Sequence, residues 1–191
     1  MFLLHILTSI IKYTLVVAIQ VDSSGLESYI SFRQQIASSN SVIRSQAELN
    51  GITNDMEVVL VSEFPISKQK NLVLDQQRSM KNLTIGFNAL NGISIMELNG
   101  LEALERVVIK RGGLTGGTGR LRVMNCTSMM SIDIGEFAFM KYKYLELVDL
   151  PLLQEVKLSD SAFQMSHTVR IDSNQNRRTD NQTCLHFNPF N

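Results

Sequence analysis

The sequence predicts a mainly β protein: a short solenoid with two parallel β-ladders, preceded by an apolar and helical N-terminal segment. Three observations carry this reading. Short apolar alternations recur at a near-constant step: Leu72-x-Leu74, Met96-x-Leu98, Leu121-x-Val123, Leu145-x-Leu147 and Val169-x-Ile171, at intervals of 24, 25, 24 and 24 residues. A second ladder, Ile85, Ile109, Ile134 and Leu158, runs 11 residues behind the first. A third follows in step: Ala89-Leu90, Gly113-Leu114, Ala138-Phe139 and Ala162-Phe163. Ladders sharing one register mark an internal repeat, and repeats of this length stack into solenoids.

Residues 1–23 form an apolar N-terminal segment, interrupted by His5 and Lys12. As a signal peptide, Lys12 supplies the n-region charge and Tyr13 to Ile19 the apolar core, with a cut near Val21-Asp22-Ser23. The same stretch also reads as a membrane anchor, which Lys12 weakens. It reads equally as an apolar segment packed on the domain, or as an ill-chosen start. A signal peptide implies a secreted or surface protein; otherwise the location is cytoplasmic. Membrane contact is expected only from an anchor.

Residues 24–54 are expected to be a helix and a linker. Ser24 and Glu27 have the spacing of a capping box. Leu26, Tyr29, Ile30, Arg33 and Ile36 follow at helical spacing, predicting a helix over 25–37. A polar run from Ser38 to Ser41 closes it, and 42–54 carries no pattern.

The solenoid is expected over 55–172. Its units share an apolar core: Met80-x-x-Leu83-x-Ile85, Leu104-x-x-Val107-x-Ile109, Met129-x-x-Ile132-x-Ile134 and Leu153-x-x-Val156-x-Leu158. Such alternation puts the apolar residues of a short strand on one face. One unit cannot bury that face alone, so neighbours must stack. Two strand-like segments in each unit leave little room for helix. Val59-x-Val61, 24 residues before Leu83-x-Ile85, reads as a degenerate N-terminal unit. Residues 173–191 read as a solvated polar tail.

The first unit continues as Ile85-x-x-Asn88-x-Leu90, completing the pattern L-x-x-L-x-L-x-x-N-x-L. On these residues the chain resembles leucine-rich-repeat proteins. The ending at Gly135 to Phe139, Gly-x-x-Ala-Phe, is similar to the BspA-like subclass of bacterial and protist surface proteins. That resemblance implies adhesion or host contact. Gly112, Phe137 and Ser161 stand where the consensus has Asn, a departure from the usual asparagine ladder.

Function is expected to lie on exposed strand positions. The outward residues are Asn82, Thr84, Arg106, Val108, Lys110, Ser131, Asp133, Glu155 and Lys157. They would form one ladder on a solenoid face, where such proteins bind partners. Their charge is mixed and no aromatic cluster accompanies them. The chain has 18 basic and 18 acidic residues, which argues against nucleic acid as a partner. The expected partner is a protein or a glycan, with no cofactor. The alternative is a structural array that assembles end to end.

Other motifs are weaker. Gly112 and Gly117 have phosphate-loop spacing, but Thr118 and Gly119 replace the required Lys and hydroxyl residue. The glycines are expected to absorb the extra residue between Leu114 and Leu121. Asn82, Asn125 and Asn181 begin glycosylation sequons, which matter only in a secreted chain. Cys126 aligns with Leu101 and Leu150, predicting a buried thiol. Cys184 and His186 are too few for a metal site. No histidine stands in a nucleophile motif, so the chain is expected to be non-enzymatic.

Overall fold

The computed structural model describes residues 23–38, 42–62, 70–172 and 184–186. The apolar segment at 1–22, Asn181 and most of the polar tail lie outside the described residues. The chain divides into two units, Met1–Ser39 and Asn40–Asn191. In the first, helix α1 spans Ser23–Ser38. It begins before Ser24, which therefore sits inside the first turn and not at the cap. Leu26 and Ile30 are exposed and Phe32 is buried, so burial does not follow the stripe read from spacing.

The second unit is a parallel β-solenoid. Its elements are β1 (Val42–Ile43), α2 (Gln46–Asn50), β2 (Val58–Val61), β3 (Asn71–Leu74), β4 (Asn82–Ile85), β5 (Ile95–Asn99) and β6 (Arg106–Ile109). β7 (Arg120–Met124), β8 (Ser131–Ile134), β9 (Tyr144–Val148), β10 (Glu155–Leu158), β11 (Thr168–Asp172) and β12 (Cys184–His186) follow. The first sheet runs β1-β2-β4-β6-β8-β10-β12, and the second β11-β9-β7-β5-β3. Each of the roughly four coils thus places one strand in each sheet, as the two expected ladders require.

The repeat step is also the strand register. Leu72, Met96, Leu121, Leu145 and Val169 stand side by side in the second sheet. Leu83, Val107, Ile132 and Val156 do so in the first. These inward rows meet in one continuous core between the sheets.

The corners use left-handed backbone at repeating positions. Asn88, Gly112, Phe137 and Ser161 have φ of 52°, 70°, 56° and 59°. Leu90, Leu114, Phe139 and Phe163 have φ of 59°, 56°, 52° and 52°. A straight strand would send adjacent side chains to opposite faces; here Ala89 and Leu90, or Ala138 and Phe139, are all fully buried. Left-handed backbone costs a bulky residue about 1–2 kcal/mol. Burying a Leu or Phe side chain contributes about 1.5–3 kcal/mol, so burial wins. Coil-to-coil hydrogen bonds continue through the corner: Phe139 N–H donates to Gly113 C=O at 3.1 Å, and Gly112 N–H to Glu136 C=O at 2.8 Å. Asn88 and Gly112 also fit one another, since a Cβ at Gly112 would lie 2.1 Å from Asn88 Oδ1.

The ends of the stack differ. The patternless segment 42–54 belongs to the solenoid. Ser45 caps α2 by accepting from Glu48 N–H at 3.3 Å, and Leu49 joins the core. At the other end Val169 is 40% exposed, although its row-mates Leu72, Met96, Leu121 and Leu145 are at most 3% exposed. Part of the stretch expected as a solvated tail forms β12, which pairs with β10.

Ile134 is fully buried in the shared core. Ile134→Asp should abolish the cooperative melting transition, because an unpaired charge cannot stay buried there. Lys157→Ala should shift stability by no more than about 0.5 kcal/mol. Circular dichroism melts distinguish the two, and similar behaviour would refute the inward register. A second contrast concerns glycine. A Cβ at Gly119 would lie 1.7 Å from Ser94 C=O, whereas one at Gly100, with φ +67°, meets nothing within 4 Å. Urea unfolding should show a cost of about 1–3 kcal/mol for Gly119→Ala, from overpacking. Gly100→Ala should cost only about 1–2 kcal/mol, from backbone strain alone.

Candidate binding faces

The structure brings the predicted ladder together on the outside of the first sheet. Asn82, Arg106, Ser131 and Glu155 form one row, and Thr84, Val108, Asp133 and Lys157 the next. Lys110 follows β6 by one residue. Arg106 and Lys157 are exposed; Asn82, Val108, Lys110, Ser131, Asp133 and Glu155 are half-buried. Lys157 Nζ lies 3.1 Å from Glu155 Oε1 along the same strand.

Thr84 is a correction: it is buried, at 9% exposure. Its row begins with Val42 and Leu60, both buried, and continues to Val108. The N-terminal end of this row is therefore apolar and closed to solvent, and the accessible ladder starts at Arg106 and Val108.

Sequence reasoning passed over the outside of the second sheet. Val73, Glu97, Arg122, Glu146 and Arg170 form one row there, and Asn71, Ile95, Arg120, Tyr144 and Thr168 another. Arg122 Nε donates to Glu146 Oε2 at 2.5 Å. Arg120 and Arg122 approach Glu97 at 3.7 and 3.9 Å. The hydrogen bond that Arg122 donates to Glu146 leads the upward shift of the Arg122 pKa. Half-exposed cross-strand pairs of this kind contribute about 0.2–1 kcal/mol each. The signal was available: after Val73, the middle residues of the apolar alternations, Glu97, Arg122, Glu146 and Arg170, alternate in sign at the repeat step.

The glycine run serves the packing of one coil on the next. A Cβ at Gly116, Gly117 or Gly119 would lie within 2.0 Å of Asn91, Ile93 or Ser94 carbonyl oxygen. The run therefore packs its α-carbons directly on the preceding coil. Gly117 also clears a path. Tyr142, at the equivalent place one coil later, donates its hydroxyl hydrogen to Ile93 C=O at 2.8 Å. Phe139 packs edge-on to Tyr142 at 4.8 Å, and Phe163 stacks on Phe139 at 4.9 Å. Burial raises the Tyr142 pKa.

Cys126 is a buried free thiol, as its alignment with Leu101 and Leu150 predicts. Its Sγ lies 3.3 Å from Met124 C=O, and burial pushes the thiol up to about 11. Asn125 is exposed at a corner, where Nδ2 donates to Asn99 Oδ1 at 2.9 Å. Among the described residues no three His, Cys, Asp or Glu side chains are placed to hold a metal ion. Nor is any described helix long and apolar enough to cross a membrane. No protein-family description, curated protein or solved structure matches the chain.

The thiol provides a pH test. A pKa raised on folding contributes stability that is full below the unfolded value, 9.0, and is lost as pH rises through about 11. Tyr142 acts in the same direction at higher pH. Wild-type melting temperature should therefore fall between pH 8.5 and about 10.5, and Cys126→Ala should flatten that fall. Iodoacetamide should leave the folded thiol unmodified at neutral pH and alkylate it after unfolding. Rapid labelling at Cys126 in the folded protein, located by peptide mapping apart from Cys184, would contradict this burial.

Proposed function

We propose that the chain is a non-enzymatic recognition module of the leucine-rich-repeat type, binding a protein partner through an exposed β-ladder. The observation that carries this reading is the set of outward rows, from Arg106 and Val108 to Glu155 and Lys157, held in strict register on a rigid core. Solenoid faces of this kind offer an extended surface at little ordering cost. Two strands in each coil, with Gly-x-x-Ala-Phe at a corner, favour the BspA-like subclass. On that basis the chain acts in adhesion at a cell surface or after secretion. A glycan partner fits the same polar rows less well, because they hold no aromatic residue.

A second reading has its own support. Val169 is 40% exposed in an otherwise buried row, as expected of an array that assembles end to end. Light scattering separates the two, since the array predicts a mass that grows with concentration. Intact mass from the native cells, before and after deglycosylation, tests secretion.

The recognition reading predicts that a photo-crosslinking residue at Ser131 captures a distinct protein in native cells. The same residue at Lys141, exposed outside that ladder, should capture it far less. Equal capture at both positions, or capture of further copies of this chain alone, would sink the reading.

A further inference from the structure

We propose that the outer face of the second sheet is a docking surface for an acidic, extended segment of a partner protein. The inference rests on the recognition reading and adds to it a second contact, on the opposite sheet. The first-sheet ladder is closed at its N-terminal end, with Leu60, Ser62 and Thr84 buried. The second sheet's outward rows reach solvent along all five strands, from the exposed Val73 to the exposed Arg170.

What a partner meets there is guanidinium and phenol. The Glu97 and Glu146 side chains are 20% and 24% exposed and Arg122 27%, against 40% for Arg120 and 60% for Arg170; Asp172, 48% exposed, is bonded to Arg170 at 3.1 Å. Tyr144 is 46% exposed and stands beside Arg120 in register. Each carboxylate on this face is already held by arginine: Glu146 by Arg122, Glu97 by Arg120 and Arg122, and Asp172 by Arg170. An arginine has five N–H donors, more than one carboxylate can absorb in such geometry. Arg120 reaches Glu97 only at 3.7 Å, beyond hydrogen-bond distance, so that carboxylate does not consume its donors. An incoming cation would find the carboxylates occupied, whereas an incoming carboxylate finds donors in excess. Arg and Tyr are also the side chains that dominate binding hot spots.

The spacing defines the segment. Arg120 and Arg170 lie on β7 and β11, with β9 between them, so roughly 10–12 Å separates them. A polyproline-II-like chain, rising about 3.1 Å per residue, covers that distance in about three residues and returns its side chains to the same side every third residue. Acidic groups three residues apart would therefore reach both arginines, with the intervening chain lying on Tyr144.

The test uses the full chain and a fluorescein-labelled peptide of four Glu-Thr-Thr repeats, with Lys-Thr-Thr repeats as control, read by fluorescence anisotropy at low salt. The Glu peptide should bind and the Lys peptide should not. Arg120→Gln combined with Arg170→Gln should weaken binding about tenfold or more, the loss of one or two charge-assisted hydrogen bonds. Tyr144→Ala should weaken it too, while Lys81→Gln with Arg111→Gln, which removes two cations outside both ladders, should leave it unchanged. Melting curves confirm that every variant folds. Loss of binding in an Arg106→Gln, Lys157→Gln variant of the first sheet, and not in the Arg120/Arg170 variant, would overturn this proposal and leave the recognition reading standing. Equal binding of both peptides, or none up to millimolar peptide, would also overturn it. A second copy of the chain occupying this face, seen by light scattering and lost in the Arg120/Arg170 variant, would do the same. The Ser131 crosslink decides the recognition reading independently.

Discussion

Inward residues in this protein are shared between coils, and everything else in the solenoid depends on that sharing. A four- or five-residue strand carries two or three apolar side chains and cannot enclose them. Leu98 is shut off from water only because Leu74 and Val123 lie on either side of it. The parallel backbone ladders impose the same demand, since each strand takes its hydrogen-bond partners from the coils before and after it. Stability is then close to a sum of neighbour terms, and the end coils have one neighbour too few. α2 and Leu49 meet that need at one end. At the other, Val169 remains open beside a first sheet that β12 extends.

Stacking in register requires every coil to turn through the same path, which brings the corners under the same constraint. Left-handed residues recur at fixed places and accept a strain that burial of Leu90, Leu114, Phe139 and Phe163 offsets. The coil with one extra residue keeps its place because Gly116, Gly117 and Gly119 let its backbone lie directly on the preceding coil. The Tyr142 hydroxyl then crosses that glycine gap to Ile93, tying together coils that are not neighbours. A run that resembles a ligand loop in one dimension is a packing joint in three.

Outward positions are what remains after these demands are met, so they can be given over to recognition. The two sheets use them differently. The first carries apolar residues at one end of a row and charges at the other, from Leu60 to Lys157. The second carries a ladder of alternating sign, in which Arg122 holds the centre between Glu97 and Glu146. Such a ladder presents guanidinium groups in register, the property on which the proposed acidic docking rests.

By itself the sequence determined the repeat step, the inward rows and the number of coils, because the periodicity of burial is written directly in apolar spacing. It also determined that Cys126 is buried, since that residue takes a leucine's place in a ladder. Outward residues were legible as rows but not as exposed or buried. Thr84 shows why: its burial depends on Leu60 and the closed end of the sheet, not on its own alternation. The cap at 42–54 was invisible because five residues of helix carry no period. The left-handed corners were hidden for a related reason, since Phe137 and Ser161 have no intrinsic preference for that backbone. Only the stack decided those features, because their energy comes from contacts with residues about 24 positions away rather than from local preference.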